Sequence, residues 1–314
     1  MASPSRVAVV GLGNVGASFA YALLLSGLAA EIVLIDVNRA KSEGEAMDLN
    51  HAVPFAKPTR VWAGDYPDCA GAAVTVVTAG ANQKPGETRR DLLDRNTAIF
   101  KAIIPEVVEH NPNGVIVVAT NPVDVLTYIS CKLSGLPASK IIGSGTILDT
   151  ARFRYLLSQQ FAVDARSVHA FIIGEHGDSE VPVWSLANIA GMRLHDYCRM
   201  QHVQCDEQSL ESIFDQTRDA AYQIIERKGA TYYAVAAGLM RIVEAILRDQ
   251  RTVLSVSSFM TGQYGLTDVC LSLPAVIHHE GIERVLEMPL TPEEAQKLRA
   301  SADVLKQMIA GIRA

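Results

Sequence analysis

The chain has 314 residues, of which 49% are hydrophobic and 20% are charged, and its formal net charge is −6 at pH 7. This balance predicts a globular protein of about two domains and lacks the basic footprint of a nucleic-acid-binding surface. The five cysteines are dispersed without a Cys-x-x-Cys pair, which indicates reduced thiols, no zinc site and a cytoplasmic location. The first strand-like run begins at Arg6, so little room is left for a cleavable signal peptide.

The segment Val7–Ala30 carries no charge and is long enough to span a bilayer. However, three glycines and an asparagine follow the strand-type pair Val9 and Val10. A strand, a glycine turn and a buried helix explain such a segment better than a membrane span. We therefore expect no membrane association.

The first 143 residues alternate short apolar runs with helical patterns. Strands are predicted at Arg6–Val10, Glu31–Asp36, Thr59–Ala63, Ala73–Ala79, Gly114–Ala119 and Lys140–Ile142. Helices are predicted between most of them, at Asn14–Ser26, Arg39–Asn50, Thr88–His110 and Val123–Leu133. Near-continuous Val and Ile runs that alternate with helices are typical of a parallel sheet covered on both faces. Residues 1–143 are thus expected to form a doubly wound, Rossmann-type α/β domain.

Residues 144–314 show a different, mixed α+β pattern, and no low-complexity linker separates them from the first half. Helices are predicted at Thr146–Gln160, Glu207–Lys228 and Thr231–Arg248, with a last one opening at Thr291-Pro292. Strands are predicted at Ser167–Ile173, Thr252–Met260 and Thr267–Leu273. We expect a second, substrate-binding domain packed tightly on the first.

A G-x-G-x-x-G run, formed by Gly11, Gly13 and Gly16, follows the first strand and opens the first helix. Glycines there permit a tight turn and let the backbone approach a pyrophosphate, while the helix N-terminus favours negative charge. Asp36 ends the second strand, where a carboxylate holds ribose hydroxyls and repels a 2′-phosphate. A chance glycine cluster with Asp36 as a strand-end cap is the alternative. The combined context favours NAD as cofactor.

Two further segments carry groups suited to proton transfer and to anion binding. His176 lies between Glu175 and Gly177 after an apolar strand, and histidine can exchange a proton near neutral pH. Asp149 and Arg152 are three residues apart on a predicted helix and therefore share a face. The carboxylate could orient an imidazolium, and the guanidinium could grip a substrate carboxylate. A loop histidine on the surface and a helical ion pair are the simpler alternatives.

The segment Ala79–Arg89 follows a strand, contains two glycines and a proline, and leads into a long helix. This composition is typical of a mobile lid, on which Arg89 could polarise a ketone oxygen; a plain polar loop is the alternative. Asn121 ends another strand, at the sheet edge where ligands of such folds collect.

These segments resemble those of the lactate and malate dehydrogenase family, and the similarity extends from Gly11 to about Pro274. Its most specific parts are Ala79–Arg89, Ile142–Arg154, His169–Asp178 and Gly229–Tyr233. The resemblance implies that His176 is the proton donor and acceptor, that Asp149 is its partner and that Arg152 binds the substrate carboxylate. It also implies that Arg89 polarises the carbonyl. It assigns Asn121 to the substrate and nicotinamide, Thr231 to the pocket wall, and contacts with the cofactor to Val15, Lys41, Tyr66, Gly80, Ala81 and Val118.

Residue 83 bears on the substrate. The malate-specific members of the family have an arginine there, which pairs with the second carboxylate, whereas this chain has Gln83. A neutral amide would leave that carboxylate with a desolvation cost, so pyruvate and lactate are favoured over oxaloacetate and malate. Lys84 could do the pairing instead. A non-catalytic NAD-binding module is a further alternative, but it has no need for the catalytic groups.

Arg154 and His169 are not required by this chemistry. In bacterial members that respond to fructose 1,6-bisphosphate, an arginine and a histidine in matching contexts bind the sugar phosphates at a subunit interface. The resemblance therefore implies allosteric activation of a homotetramer. Two solvated surface residues, or an inert subunit contact, are the alternative.

Overall fold

The structure is a computed structural model that describes residues 5–81 and 88–312, except for the side chain of Arg89. Its strands are β1 Arg6–Val10, β2 Glu31–Ile35, β3 Arg60–Ala63, β4 Val74–Val77, β5 Val115–Val118, β6 Ile141–Gly143, β7 Val168–His169, β8 Ile172–Ile173, β9 Val181–Pro182, β10 Asn188–Ile189, β11 Met192–Arg193, β12 Thr252–Thr261, β13 Thr267–His278 and β14 Gly281–Val285. Its helices are α1 Asn14–Ser26, α2 Arg39–Ala52, α3 Arg89–His110, α4 Val123–Ser134, α5 Ile147–Phe161, α6 Leu194–Gln201, α7 Glu207–Lys228, α8 Tyr233–Leu247 and α9 Pro292–Ala310.

The first six strands form a parallel sheet in the order β3-β2-β1-β4-β5-β6. In β1, Val7 and Val9 pack into one apolar cluster, whereas Ala8 and Val10 pack into another. Because successive residues of a strand face opposite sides of a sheet, both faces are covered, as the near-continuous apolar runs predicted. The predicted doubly wound fold is confirmed.

The second half of the chain extends this same sheet. Strand β12 pairs antiparallel with β6 through Ser257 and Gly143, and β13 and β14 follow. A Cβ atom at Gly143 would lie 2.3 Å from Thr127 Oγ1 and 2.7 Å from Ser257 Cβ, so the junction requires a glycine. The nine strands thus form one continuous sheet within the described residues.

The predicted strand Ser167–Ile173 is wrong as one element. The structure has β7, which pairs with β10, and β8, which pairs with β9 in a different sheet. Between them, the carbonyl of Ala170 accepts a hydrogen bond from Arg154 Nε at 2.9 Å, so this carbonyl is not available to a β ladder. Helix α8 also begins at Tyr233, two residues after the predicted start at Thr231.

A third apolar cluster lies in the second half, where α5 and α6 pack against the small sheets. Phe153 and Trp184 meet edge to face in it, with their ring centroids 4.7 Å apart. In the described part of the chain, no helix has both the length and the apolar character needed to cross a membrane.

Candidate active site

The glycine turn between β1 and α1 is shaped by close backbone contacts. Gly11 has φ +93°, and a Cβ atom there would lie 2.4 Å from Ala79 Cα. A Cβ atom at Gly16 would lie 2.0 Å from the carbonyl oxygen of Gly11. At Gly13, which caps α1, an added Cβ atom would meet nothing within 4 Å. The turn therefore packs tightly on the sheet side and leaves space on the other side, as a bound pyrophosphate requires.

A cleft with a cavity volume of about 470 Å³ opens beside this turn. Asp36 lies on its wall, where Oδ2 accepts a hydrogen bond from the backbone N–H of Leu12 at 2.7 Å and Oδ1 accepts one from that of Asn38 at 2.9 Å. These bonds fix the carboxylate at the end of β2 while the cleft remains open to ribose hydroxyls. Of the cofactor residues expected from the sequence, those that line this cleft are Gly11, Gly13, Asp36, Lys41, Tyr66 and Gly80.

Three expected cofactor residues lie outside the cavity walls. Gly16 and Val118 are buried, the first under the glycine turn and the second in β5. The backbone N–H of Ala81 donates to Asn96 Oδ1 at 2.8 Å. These residues shape the cleft from behind or from its rim.

A second, smaller cavity of about 150 Å³ brings together residues that are far apart in the sequence. Among its lining residues are Val15, Asn121, Arg152, His176 and Thr231. The remaining wall is mostly apolar and is formed by Ala119, Ser144, Gly145, Ile147, Leu148, Ala221, Ile225 and Val235. The cavity therefore combines two cationic side chains with an apolar wall.

The loop that carries His176 is held at three consecutive residues. Gly174 exchanges backbone hydrogen bonds with Ser272 at 2.8 Å, and the N–H of Glu175 donates to Ser301 Oγ at 2.8 Å. The N–H of His176 donates to Asp124 Oδ2 at 2.7 Å. The imidazole is thus presented from a backbone fixed by β13, α9 and α4.

His176 and Asp149 form a short hydrogen-bonded pair, with 2.5 Å between Nδ1 of His176 and Oδ2 of Asp149. Arg152 NH1 donates to the other carboxylate oxygen at 2.9 Å. The Asp149 side chain is 4% exposed, whereas 23% of the His176 side chain remains exposed. The carboxylate therefore bridges the two cations and leaves the far edge of the imidazole accessible.

Burial by itself would lower the pKa of His176. The buried negative charge of Asp149 and its hydrogen bond outweigh this effect and raise the pKa to about 9. Burial opposes ionisation of Asp149 too, yet the adjacent His176 and Arg152 lower the pKa of its carboxyl. At neutral pH the pair therefore consists of an imidazolium and a carboxylate. The imidazolium of His176 carries the proton that the pair can donate.

Two buried acidic residues of this site were not predicted from the sequence. Asp124 lies in the first turn of α4, and burial raises its pKa to about 6. Glu180 is 7% exposed, and its Oε1 has no hydrogen-bond partner within residues 5–81 and 88–312. Burial together with the charge of Asp149 raises its pKa to about 9. The position of Asp124 just after Asn121-Pro122, at the carboxyl end of β5, was the available indication; no sequence pattern singled out Glu180.

Gln83 and Lys84 lie outside the described residues, as does the side chain of Arg89. The predictions made for them are therefore not tested by the geometry.

Arg154 and His169 lie away from the His176 cavity. Arg154 stacks on Phe171, with its guanidinium carbon 5.2 Å from the ring centroid, and lines a separate cavity of about 450 Å³. His169 is exposed on β7, one residue before the Ala170 carbonyl to which Arg154 donates. Arg154 thus contacts the backbone next to His169, and the cavity that Arg154 lines does not include His169.

Comparisons with known proteins agree with this architecture. The lactate/malate dehydrogenase NAD binding domain matches residues 5–143, and the α/β C-terminal domain of the same family matches residues 146–314. An L-lactate dehydrogenase of Acetivibrio thermocellus is 58% identical over 305 residues, covering 97% of this chain and 96% of the relative. One of Priestia megaterium is 54% identical over 302 residues, covering 96% and 95%.

A solved structure gives the same result. The minor L-lactate dehydrogenase from Enterococcus mundtii, in its ligands-bound form, superposes with a TM-score of 0.96 at 43% identity and covers 99% of both chains. The fold and the site thus define an NAD-dependent oxidoreductase. The chain belongs to the lactate/malate dehydrogenase family, and the predicted cofactor, NAD, is confirmed.

Proposed function

We propose that this NAD-dependent dehydrogenase interconverts pyruvate and L-lactate, with His176 as the proton donor and acceptor. The observation that carries the proposal is the chain of contacts from His176 through Asp149 to Arg152 in a small cavity with an apolar wall. The names of the relatives, all L-lactate dehydrogenases, support it.

Each charged group in the cavity has a task in this reaction. Asp149 holds Nδ1 of the imidazole, so that the proton on Nε2 points away from the carboxylate and toward a substrate oxygen. Arg152 uses NH1 for Asp149 and keeps further N–H groups for the carboxylate of the substrate. NADH, when bound, would supply the hydride that adds to the carbonyl carbon, and His176 gives its Nε2 proton to the carbonyl oxygen, so that the product is an alcohol. In the reverse direction the neutral imidazole takes this proton back.

The cavity wall supports a small substrate. Ala221 and Ile225 lie one helical turn apart on α7, and Val235 faces the cavity from α8. Such a wall suits the methyl group of pyruvate. The second carboxylate of oxaloacetate would lose its hydration there, and the described lining residues offer no cationic side chain beyond Arg152 and His176 to compensate it. In this proposal Gln83 replaces the arginine of malate-specific relatives, Thr231 completes the wall, and Asn121 contacts substrate and nicotinamide.

Arg89 completes the proposed mechanism from the start of α3. Thr88 caps this helix, and its hydroxyl accepts a hydrogen bond from the N–H of Asp91. The preceding segment is proposed to close over the substrate as a lid, which brings Arg89 to the carbonyl oxygen and excludes water.

We also propose that residues 1–143 and 144–314 act as cofactor and substrate domains of a cytoplasmic homotetramer that fructose 1,6-bisphosphate activates. Arg154, Arg166 and Arg241 line one cavity, and such a cationic wall suits phosphate groups. Phe55 is 88% exposed and Met47 is 62% exposed, which supports contact between subunits.

Light scattering measures the number of subunits in the assembly. Pyruvate saturation curves with and without the bisphosphate should differ for the natural protein and coincide for Arg154→Gln; coincident curves for both would refute the activation.

The catalytic proposal is tested with His176→Asn. This variant should lose turnover of pyruvate by several orders of magnitude but should bind NADH nearly as the natural protein does. Full activity in the variant would overturn the role of His176. Comparing kcat/KM for pyruvate and oxaloacetate tests the substrate, and a higher value for oxaloacetate would make the protein a malate dehydrogenase.

A further inference from the structure

A cluster of two histidines and an aspartate lies outside the active site, where α8 ends beside the β13–β14 hairpin. One ligand atom from each of Asp249, His278 and His279 can be chosen so that all three lie within 4.8 Å of one another. Asp249 follows the end of α8 by two residues, His278 ends β13, and His279 begins the turn to β14. No other such group of metal-ligating side chains is found among residues 5–81 and 88–312.

One distance within this cluster is close to that between two ligands of a metal site. His279 Nδ1 lies 3.1 Å from Asp249 Oδ1. Zinc ligands lie about 2.0–2.2 Å from the metal, which puts two ligands of a tetrahedral site about 3.4 Å from each other. The two atoms therefore need to separate by only a few tenths of an ångström to hold an ion between them.

The hydrogen bond between Asp249 and His279 could by itself be a simple link between two turns. It leaves His278 unexplained, because Nδ1 of that residue is shielded from solvent and has no partner among the described residues. The two imidazole rings meet edge to face with centroids 5.1 Å apart. An unpaired, shielded nitrogen carries a desolvation cost that a metal bond would remove.

The basic side chain that acts on Asp249, that of Arg251, is itself ion-paired. Arg251 follows Asp249 by two residues, but its NH1 pairs with Glu283 Oε2 at 2.7 Å. Glu280, the residue after His279, is exposed and acidic. Two imidazoles and one carboxylate form a ligand set suited to zinc and its neighbours among the divalent transition metals, with water or Glu280 in a fourth position.

We propose that Asp249, His278 and His279 bind one divalent transition-metal ion of the Zn²⁺ type. The ion links the end of α8 to the β13–β14 hairpin and so stabilises the second half of the chain. The site shares no residue with the proposed catalytic machinery and does not depend on the proposed reaction.

Titration calorimetry of the whole protein with ZnCl₂ tests the proposal. One ion should bind per chain, and binding should weaken as the pH falls, because the imidazoles must be deprotonated to ligate. His279→Ala and His278→Ala should each weaken Zn²⁺ binding by about tenfold or more. Removing a residue that only hydrogen-bonds to a metal ligand already weakens metal binding by about 10- to 100-fold in other proteins. His51→Ala, which removes an exposed histidine on α2, is the matched control and should bind as the natural protein does.

A second variant separates a metal site from a simple link between turns. In Asp249→Asn the amide oxygen can still accept the hydrogen bond from His279, but it is a much poorer metal ligand than a carboxylate. Its melting temperature without metal should match that of the natural protein, while the increase produced by Zn²⁺ should be lost. Zn²⁺ binding of equal strength to His279→Ala, or the absence of saturable binding to the natural protein, would overturn the proposal.

Discussion

The variant Asp149→Asn removes the charge that holds the proton on His176. The pKa of His176 is raised to about 9, whereas an ordinary histidine has a pKa of about 6.5. This difference of about 2.5 pH units corresponds to a preference for the imidazolium of about 3 kcal/mol. Without the carboxylate, burial remains and disfavours the charged ring, so the pKa should fall to the ordinary value or below it.

The expected loss of activity depends on pH. If pyruvate reduction requires the imidazolium, a pKa of about 6.5 in the variant predicts a loss of about 30-fold at pH 8 but only about 1.3-fold at pH 6 from protonation alone. A further loss, constant with pH, should come from the weaker orientation of the ring. The measurement is kcat/KM for pyruvate between pH 5.5 and 10, followed by the absorbance of NADH.

Asp196→Asn is the control for this experiment. Asp196 pairs with Arg199 at 2.9 Å with the same three-residue spacing on a helix, but its side chain is 48% exposed. It should leave the pH profile unchanged. A profile for Asp149→Asn that still falls near pH 9, or a loss that is equal at pH 6 and pH 8, would refute the role assigned to Asp149.

Three further variants test other parts of the site. Glu180→Gln should gain stability relative to the natural protein as the pH rises from about 5 to 8, by about 1.4 kcal/mol per pH unit. In this range the native state of the natural protein binds one proton more at Glu180 than its unfolded state does, so the natural protein loses stability with rising pH and the variant does not. Urea unfolding midpoints that differ by the same amount at every pH would contradict this. Asp36→Ala should weaken NADH binding by about 10- to 100-fold and reduce the preference for NADH over NADPH, since a charge-assisted acceptor is lost. Fluorescence titrations with both cofactors measure the two affinities. An unchanged preference for NADH would count against the role of Asp36 in cofactor choice. Gly11→Ala should unfold the turn or abolish NADH binding, because its Cβ atom would lie 2.4 Å from Ala79 Cα. The control Gly44→Ala, on the exposed face of α2, should keep or slightly raise the melting temperature. Thermal melts that do not distinguish the two variants would show that the turn tolerates a side chain.

The parallel half of the fold could be predicted well because its strands are buried on both faces. Predicted bounds for β1 and α1 agree with the structure, and β4 and β5 are shorter than predicted by one or two residues at each end. Periodicity fails where pairing partners change within a few residues. At the break between β7 and β8, the Ala170 carbonyl accepts a hydrogen bond from Arg154, and no local sequence pattern indicates this contact.

Part of the site could be predicted because its residues lie in recognisable segments of the sequence. His176, Asp149 and Arg152 lie in segments with a recognisable composition, and the structure brings them within hydrogen-bonding distance. Asp124 and Glu180 act on His176 from α4 and from the residue before β9, so their importance arises from burial and proximity. Such effects appear only when the chain is folded.

The pairing of β6 with β12 has a consequence for movement. Enzymes that close by a hinge need a flexible connection between their lobes, but here the backbone of Ser257 is paired with Gly143 across the two halves. The cofactor cleft opens at this sheet, and the His176 loop is bonded to the same sheet through Gly174 and Ser272. We therefore expect adjustment between them to come from peripheral loops and helices. Each half produced alone would also expose an unpaired strand edge, the three-residue β6 in one case and the ten-residue β12 in the other, which invites aggregation. The two halves therefore depend on each other to cover these strand edges.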